Sequence, residues 1–427
     1  MIDESALGTL RPDLALERIV RQESGRAIAT LIGLLGDFDR AEEAFQDACA
    51  AALATWPAAG VPTNPRSWLI STARHKALDR LRREKVLSAK LEAVARATPD
   101  RTDPEEFAED EAWPDERLRL IFTCCHPALA PEAQVALTLR TVCGLSAEEI
   151  ARAFMAPLPT LQQRIVRAKA KIRAASIPYR IPEPSELPDR LDAVLATIYL
   201  VFNEGYAATA GDALVRRELC GEAIRLGRMV AALLGDRHER HERRAVDGLL
   251  ALMLLHDARR DAREAPDGLP ILLADQDRSR WDRRKIAEGL WRVERALNAG
   301  PPDAFALEAA IAAVHARAVR AEQTDWPQIA ELYRILLRTR PSPVVELNRA
   351  VAVAMAEGPE AGLALLDEIE AGGSLSEYHL LPAARADLLR RLGRTSEAAD
   401  AYRQALALAR LEPERRFLAG RLAEVAR

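Results

Sequence analysis

Aromatic residues make up only 5% of this 427-residue sequence, and runs of β-branched residues are scarce. A sheet-rich protein usually needs both kinds of side chain to pack its pleated faces. Ala, Leu, Arg and Glu dominate instead, which is typical of packed amphipathic helices. The composition therefore predicts an all-α fold, and the length of the chain predicts two to four domains.

The sequence also lacks the marks of several other protein classes. Its five cysteines form neither a C-x-x-C pair nor an even-numbered framework, so we expect reduced, mostly buried thiols and no metal site. It contains no P-loop, dinucleotide-binding, zinc-protease or nucleophile-elbow motif, so we expect no enzyme and no cofactor. Apolar runs stay well below the roughly 18 residues that cross a bilayer, and the first residues do not form a secretion signal. The expected location is therefore cytoplasmic, without a membrane partner.

The histidines do not indicate a metal site either. His238, His241 and His256 lie among arginines and acids on helical sequence, and no carboxylate stands in ligand register with them. We expect them on the surface.

The chain as a whole has no large excess of positive or negative charge, but individual segments do. The formal net charge is only -4, yet basic residues concentrate around 66–85 and 164–173, and 100–116 is acidic. Local charge decides where a phosphate backbone can dock, so the average does not exclude a nucleic-acid partner.

Breaks in the helical pattern divide the chain into five predicted segments. Proline, glycine and charge clusters mark the boundaries. The segments are a first helical domain (1–86), an acidic flexible linker (87–114), a second helical domain (115–176), a proline-rich junction (177–190) and a long helical extension (191–427).

The last third of the chain repeats itself, most clearly over 324–427. Segments beginning at Thr324, Gly358 and Gly393 start 34 and 35 residues apart, and apolar residues recur at their positions +5, +9 and +12. The middle segment fits only with a one-residue slip. The segment from Gly393 resembles the tetratricopeptide consensus, so we expect helix pairs that bury their apolar faces against neighbouring pairs.

A helix-turn-helix pattern spans Leu145 to Arg173. Ser146 and Glu149 predict a capping box at the start of the first helix, and a tight turn at 155–157 precedes the second. Leu158, Leu161, Ile165 and Ala168 form the predicted inner face of that second helix. Its expected outer face combines glutamines and basic residues without an acid, which suits a DNA major groove. A plain solvated surface is the alternative. The candidate DNA-contacting residues are Thr160, Gln162, Gln163, Arg164, Arg167 and Lys171; Lys169 and Arg173 are also expected to point outward.

An acidic stripe lies on a helix for which Asp37 and Asp39 are both candidate N-caps, and Glu42, three residues after Asp39, would complete a capping-box-like arrangement. Its apolar face holds Ala41, Ala44, Phe45 and Ala48 at helical spacing, which leaves the polar residues on the other side. Such a stripe favours a basic partner, although a solvated face would look the same. The acidic stripe consists of Asp39, Glu42, Glu43, Gln46 and Asp47.

A strongly basic helix opens at Asn64-Pro65. Proline suits the first helical position because its missing N–H would have no partner there. The basic side and the proline-rich loop before it could contact phosphates and hold an unstacked base. A solvated surface remains the alternative here too. The candidate residues are Asn64, Arg66, Arg74, His75, Lys76, Arg80 and Arg83.

Taken in order, these three segments resemble the extracytoplasmic-function sigma factors of bacteria. The resemblance runs from about Leu14 to Arg173 and implies a sigma region 2 domain, a linker and a sigma region 4 helix-turn-helix domain. It implies that the acidic stripe binds core RNA polymerase at the clamp helices of the β' subunit. It further implies that the basic helix recognises and melts the minus-ten promoter element, and that the helix-turn-helix reads the minus-thirty-five element.

The extension also resembles part of this family. The segments YLVFNEGYAAT (199–209) and PSPVVELNRAVAVAMAEGPEAGL (341–363) are similar to a subgroup with a tetratricopeptide-like C-terminal extension. In that subgroup the extension is thought to regulate the factor in cis, and its concave face would suit a protein or peptide partner. The alternative is a helix-turn-helix regulator whose repeats sense a ligand or peptide and which makes no polymerase contact.

Overall fold

The structure is a computed structural model that describes residues 16, 24, 27–83, 113–154, 156–183, 185–206, 217–234 and 240–426. Within these ranges every regular element is helical, apart from one isolated bridge between Glu264 and Pro270. The predicted all-α fold is confirmed. None of the helices in these ranges is both long and apolar enough to cross a bilayer. The chain forms two compact units, Met1–Thr197 and Ile198–Arg427.

The first unit begins with a helix over residues 27–35 (α1), followed by α2 (Phe38–Ala59) and α3 (Pro65–Arg83). Asp37 caps α2, because its Oδ1 accepts the backbone N–H groups of Asp39 and Arg40 at 2.9 and 3.0 Å. The side chain of Asn64 caps α3 in the same way, accepting from the N–H of Ser67 at 3.0 Å. Asp37 is therefore the N-cap of α2, the predicted alternative of a cap at Asp39 with Glu42 is wrong, and α3 starts where the sequence predicts.

The apolar faces of α2 and α3 pack on each other as the spacing predicts. Ala41, Ala44, Phe45 and Ala48 are all buried, and α2 continues past Trp56 to Ala59. The Trp56 ring meets the Trp68 ring of α3 edge-on, with 5.5 Å between their centres. Such an aromatic pair stabilises the fold by about 0.5–1.5 kcal/mol beyond the contribution of the apolar area that it buries.

Four more helices and half of a fifth complete the first unit. They are α4 (Trp113–Cys124), α5 (Pro131–Thr141), α6 (Ala147–Ala153), α7 (Leu158–Ala174) and the start of α8 (Leu187–Tyr206). The first of them begins two residues inside the predicted linker, and α8 begins inside the predicted junction. The rest of the linker (87–112) lies outside the described residues.

The second unit begins with the end of α8 and continues with α9 (Arg217–Leu234), α10 (Arg240–Asp257), α11 (Arg283–Asn298) and α12 (Ala304–Arg317). Asp282 and Asp303 cap α11 and α12 through hydrogen bonds to backbone N–H groups. Gly248 of α10 allows a close approach to α12, since a Cβ there would lie 2.8 Å from the backbone nitrogen of Ala306. The three helices α10, α11 and α12 share one core.

The expected surface position of His256 is wrong. His256 lies next to the Tyr206 ring, with 4.8 Å between the ring centres, and burial lowers its pKa well below the usual histidine value. The reason is that residues 250–255 are all buried, so α10 is enclosed on every side near its end. His238 and the side chain of His241 lie outside the described part of the chain.

Six helices form the last part of the second unit: α13 (Trp326–Thr339), α14 (Pro343–Glu357), α15 (Pro359–Ala371), α16 (Leu380–Arg391), α17 (Thr395–Leu408) and α18 (Glu412–Val425). Each helix packs on the next, so the three predicted repeats are three helix pairs. The slip in the middle repeat places Leu366 and Ile369 in the core. The helix pairs are observed, and their assignment as tetratricopeptide repeats stays a prediction.

Candidate nucleic-acid interface

Helices α6 and α7 form the two-helix unit that the sequence predicts. The capping box is present: the Ser146 N–H donates to Glu149 Oε2 at 2.7 Å, and the Glu149 N–H donates to Ser146 Oγ at 3.1 Å. The Ala156 N–H donates to the Ala151 carbonyl at 3.0 Å and closes the turn, in which Met155 lies outside the described residues. This arrangement fixes the start of α6 and the angle at which α7 leaves it.

The inner face of α7 packs as predicted, and most of the candidate DNA-contacting residues lie opposite it. Leu161, Ile165 and Ala168 are buried, and Leu158 is half-buried. Positions 160, 163, 164, 167 and 171 follow one another at helical spacing and so share a face. That face carries positive charge without an acid. Thr160, Gln162, Gln163, Arg167 and Lys171 are exposed, and Arg164 is half-buried.

The expectation that Lys169 points outward is wrong. Its side chain is only 9% exposed, because residue 169 lies four positions after Ile165 and three before Ile172 and so belongs to the edge of the inner face. Arg173 is 56% exposed. The inner face of α7 is therefore wider than the apolar pattern alone indicates.

Lys169 and Arg173 make ion pairs with the N-terminal end of α2. Lys169 Nζ lies 2.9 Å from Glu42 Oε1 and 3.1 Å from Asp39 Oδ1. Arg173 Nη1 lies 3.3 Å from Asp39 Oδ2 and 3.6 Å from Asp37 Oδ2. The Lys169 pairs count for more energetically than exposed ones, because Lys169 and Glu42 are largely withdrawn from water.

The acidic stripe is thus divided into two parts. Asp39 and Glu42 face α7, whereas Glu43 and Gln46 are exposed and Asp47 is half-buried. The second part is the one that carries exposed side chains away from these ion pairs.

The basic helix α3 carries the third candidate surface. His75 and Lys76 are exposed, and Arg74 and Asn64 are half-buried. The oxygen of the Asn64 side chain caps α3, so this residue has a structural task in addition to any contact with DNA. The side chains of Arg66, Arg80 and Arg83 lie outside the described part of the structure.

The N-terminal half of α8 contacts α4 and α5, the two helices that precede the α6–α7 unit. Arg190 is buried and donates from Nη2 to the Phe122 carbonyl of α4 at 2.5 Å. Thr197 donates from Oγ1 to Gln134 Oε1 of α5 at 3.1 Å. Tyr179, in the junction before α8, donates to the Ala29 carbonyl of α1 at 2.8 Å. No single sequence motif indicates these contacts, because they join residues 63 to 150 positions apart.

The adjacent cysteines are part of this core. Cys124 Sγ lies 3.2 Å from Thr141 Oγ1, and Cys125 Sγ lies 3.4 Å from Thr138 Oγ1. Burial raises the pKa of both thiols above the ordinary cysteine value, which keeps them protonated and unreactive. Four of the five cysteines are buried and all are free, as predicted.

Comparison with known families agrees with the order of these surfaces. Residues 19–86, which carry α2 and α3, match sigma-70 region 2. Residues 119–172, which carry α6 and most of α7, match sigma-70 region 4. The chain belongs to the sigma-70 factors of the extracytoplasmic-function type and carries a C-terminal extension. Sigma factors of this family are DNA-binding transcription factors that associate with core RNA polymerase and recognise promoters.

The extension of this sigma factor has its own family match. Residues 190–297 match a family of unknown function, DUF6596. An uncharacterized protein of Rhizobium meliloti (strain 1021) is 43% identical to the chain over 392 residues, which are 90% of this chain and 89% of that protein. The similarity therefore includes most of the extension as well as the two sigma regions. No solved structure matches the chain.

Proposed function

We propose that α7 reads the minus-thirty-five element, that α3 contacts the minus-ten element, and that the acidic stripe of α2 binds the clamp helices of the polymerase β' subunit. The observation that carries this proposal is the face of α7, where exposed glutamines and basic residues follow a capped two-helix unit. Glutamine can form paired hydrogen bonds with base edges, while arginine and lysine hold phosphates. The chain itself performs no chemistry in this proposal; it positions the polymerase.

Replacing Gln163 and Arg167 together with alanine should weaken promoter binding. Each lost base or phosphate contact costs about 1–3 kcal/mol, so the double variant should bind at least tenfold more weakly. The measurement is promoter affinity of the polymerase holoenzyme at one fixed salt concentration.

A matched control exists on α17. Arg403 and Gln404 are both exposed there, and their replacement by alanine removes the same two side-chain types far along the sequence from α7. Unchanged promoter affinity of the Gln163/Arg167 double variant would refute the assignment of α7, provided that circular dichroism shows an intact fold.

The ion pairs between α7 and α2 bear on the polymerase contact. Polymerase that binds the whole acidic stripe must displace Lys169 from Asp39 and Glu42. The same two carboxylates cannot be in full contact with Lys169 and with basic groups of the polymerase at once. Region 4 therefore competes with polymerase for region 2 in the free sigma factor. Binding of polymerase breaks the ion pairs of Lys169 with Asp39 and Glu42.

Replacing Lys169 with methionine should favour polymerase binding. Methionine keeps most of the packing along the side chain and removes the charge that holds Asp39 and Glu42. We expect roughly threefold to tenfold tighter binding to core polymerase, together with a larger radius of gyration of the free chain in small-angle scattering. Lys171→Met is the control, since Lys171 is exposed on the same helix. Equal effects of the two variants would contradict the competition.

We further propose that the extension, with its tetratricopeptide-like helix pairs, regulates the sigma factor in cis. Its length supports this role, because it exceeds that of the two sigma regions together. A stack of helix pairs also offers an extended concave surface for a partner.

A further inference from the structure

A cavity of about 490 Å³ lies inside the second unit. Its walls come from the loop after α10 and from helices α14, α16, α17 and α18. A cavity of this volume falls in the range that holds small organic molecules. The apolar part of the wall includes Leu273, Leu347, Val351, Leu380, Phe417 and Leu418.

The helices curve so that the end of the unit meets its earlier part. Arg416 of α18 donates from Nη1 to the Asp267 carbonyl in the loop after α10, at 3.1 Å and 149 residues away in sequence. The loop from 259 to 276 and the last helix therefore meet, and both line the same cavity. An open groove would lack this closure.

Two arginines on the loop side have no acidic partner. Arg259 Nη2 donates to the Tyr206 hydroxyl, and Arg263 Nη1 donates to the Tyr206 carbonyl at 2.5 Å. The Arg263 guanidinium also stacks on the Tyr206 ring, 3.6 Å from its centre. Among the described residues, neither arginine forms an ion pair, although both line the cavity.

The other charged groups that line the cavity are already paired. Asp387 pairs with Arg390 at 2.7 Å, Glu414 with His379 at 3.3 Å, and Arg421 with Glu424 at 2.9 Å. In the part of the chain that the structure describes, the wall therefore has two positive charges without a carboxylate in ion-pair distance, both on the loop side. Half-buried cations are costly unless an anion compensates them, and burial lowers the pKa of Arg263 accordingly.

One buried polar atom on the cavity wall also lacks a hydrogen-bond partner. Gln276 is 7% exposed, and its Nε2 donates to the Ile271 carbonyl at 3.1 Å, while its Oε1 accepts nothing within the protein. Buried polar atoms are normally satisfied, so the free Gln276 oxygen on the cavity wall indicates a polar group that the protein does not supply.

We propose that this cavity binds a small amphipathic anion: an organic carboxylate, phosphate or sulfonate with an apolar body. The anionic group lies between Arg259 and Arg263, which can donate several N–H groups to it. The apolar body lies against Leu347, Leu380 and Phe417, and a donor on the ligand faces Gln276 Oε1. This site lies outside the sigma regions, and the proposal holds whether or not the extension regulates transcription.

The test uses two fluorescent probes that differ in charge, on the full chain. The first is 8-anilinonaphthalene-1-sulfonate, and the second is N-phenyl-1-naphthylamine, the same ring system without the sulfonate. The sulfonate probe should bind at one site per chain. In the Arg259→Gln/Arg263→Gln double variant its affinity should fall at least about tenfold, whereas the affinity of the neutral probe should hardly change. Arg403→Gln, an exposed arginine on α17, is the control and should affect neither probe.

A second set of binding measurements leaves the charge of the protein unchanged. Ala384→Phe should fill the apolar half of the cavity and weaken both probes. On the wild-type chain, decanoate should displace the sulfonate probe, and decanol, which has the same chain length without the charge, should do so at least about tenfold less well. Equal displacement by the two compounds would overturn the proposal. So would unchanged probe binding in a folded Ala384→Phe variant, or displacement by an amidated apolar peptide but not by decanoate, which would indicate a peptide groove.

Discussion

Charge reversal of Glu43 and Asp47 to lysine is expected to abolish co-purification with core RNA polymerase. Glu43 is exposed and Asp47 half-buried on the part of the acidic stripe that does not face α7. The proposed partner surface is basic, and like charges placed against each other cost several kcal/mol, so affinity should fall about a hundredfold or more. The measurement is co-elution of the purified chain with core polymerase, followed by run-off transcription.

The matched control is charge reversal of Glu360 and Glu368 on α15. Both are exposed, and their replacement by lysine changes the net charge by the same amount. A loss of polymerase binding in both double variants would show a general charge effect. Retained binding in a folded Glu43/Asp47 variant would mean that the stripe is only a solvated surface, and would favour a regulator that makes no polymerase contact.

Ending the chain at Ala175 is expected to unfold region 4 and to abolish promoter-directed transcription. This truncation removes the first half of α8, with the Arg190 and Thr197 hydrogen bonds and the buried residues Leu191, Val194 and Leu195. Three buried aliphatic side chains contribute on the order of 5 kcal/mol, which is comparable with the whole stability of a small domain. Thermal unfolding followed by circular dichroism should show the loss of a folded region 4.

Ending the chain at Thr197 separates this structural effect from regulation. That truncation keeps the complete first unit and removes only the second. Its transcription, compared with that of the full chain at matched concentrations, reports on regulation in cis: more transcript means that the extension masks a surface, and less means that it supports one. Equal output across a concentration series would refute regulation in cis.

The sequence predicted the local features of the fold well because they depend on neighbouring residues. The caps at Asp37 and Asn64 and the capping box at Ser146 each involve residues within three positions. The buried faces of α2 and α7 follow helical periodicity in the same way. Such patterns can be read from the sequence without knowing how distant segments meet.

Features that join distant segments could not be predicted in this way. Lys169 looked like one more basic residue of α7, and its burial depends on acids that precede it by 127 to 130 positions. His256 resembled a surface histidine because nothing near it in sequence shows that Tyr206 packs against it. The cavity likewise combines a loop and four helices whose sequences share no common motif.

The hydrogen bond from Arg416 to the Asp267 carbonyl has a consequence for how the second unit loses its structure. In an open stack of helix pairs, each pair depends only on its neighbours, and the terminal pair frays first. Here the terminal pair is hydrogen-bonded to a loop that precedes the stack by about sixty residues, so fraying of α18 must also break a contact outside the stack. Loss of α18 therefore costs more than loss of a free terminal helix would, and we expect amide hydrogens of α18 to exchange more slowly than those of an unanchored last helix.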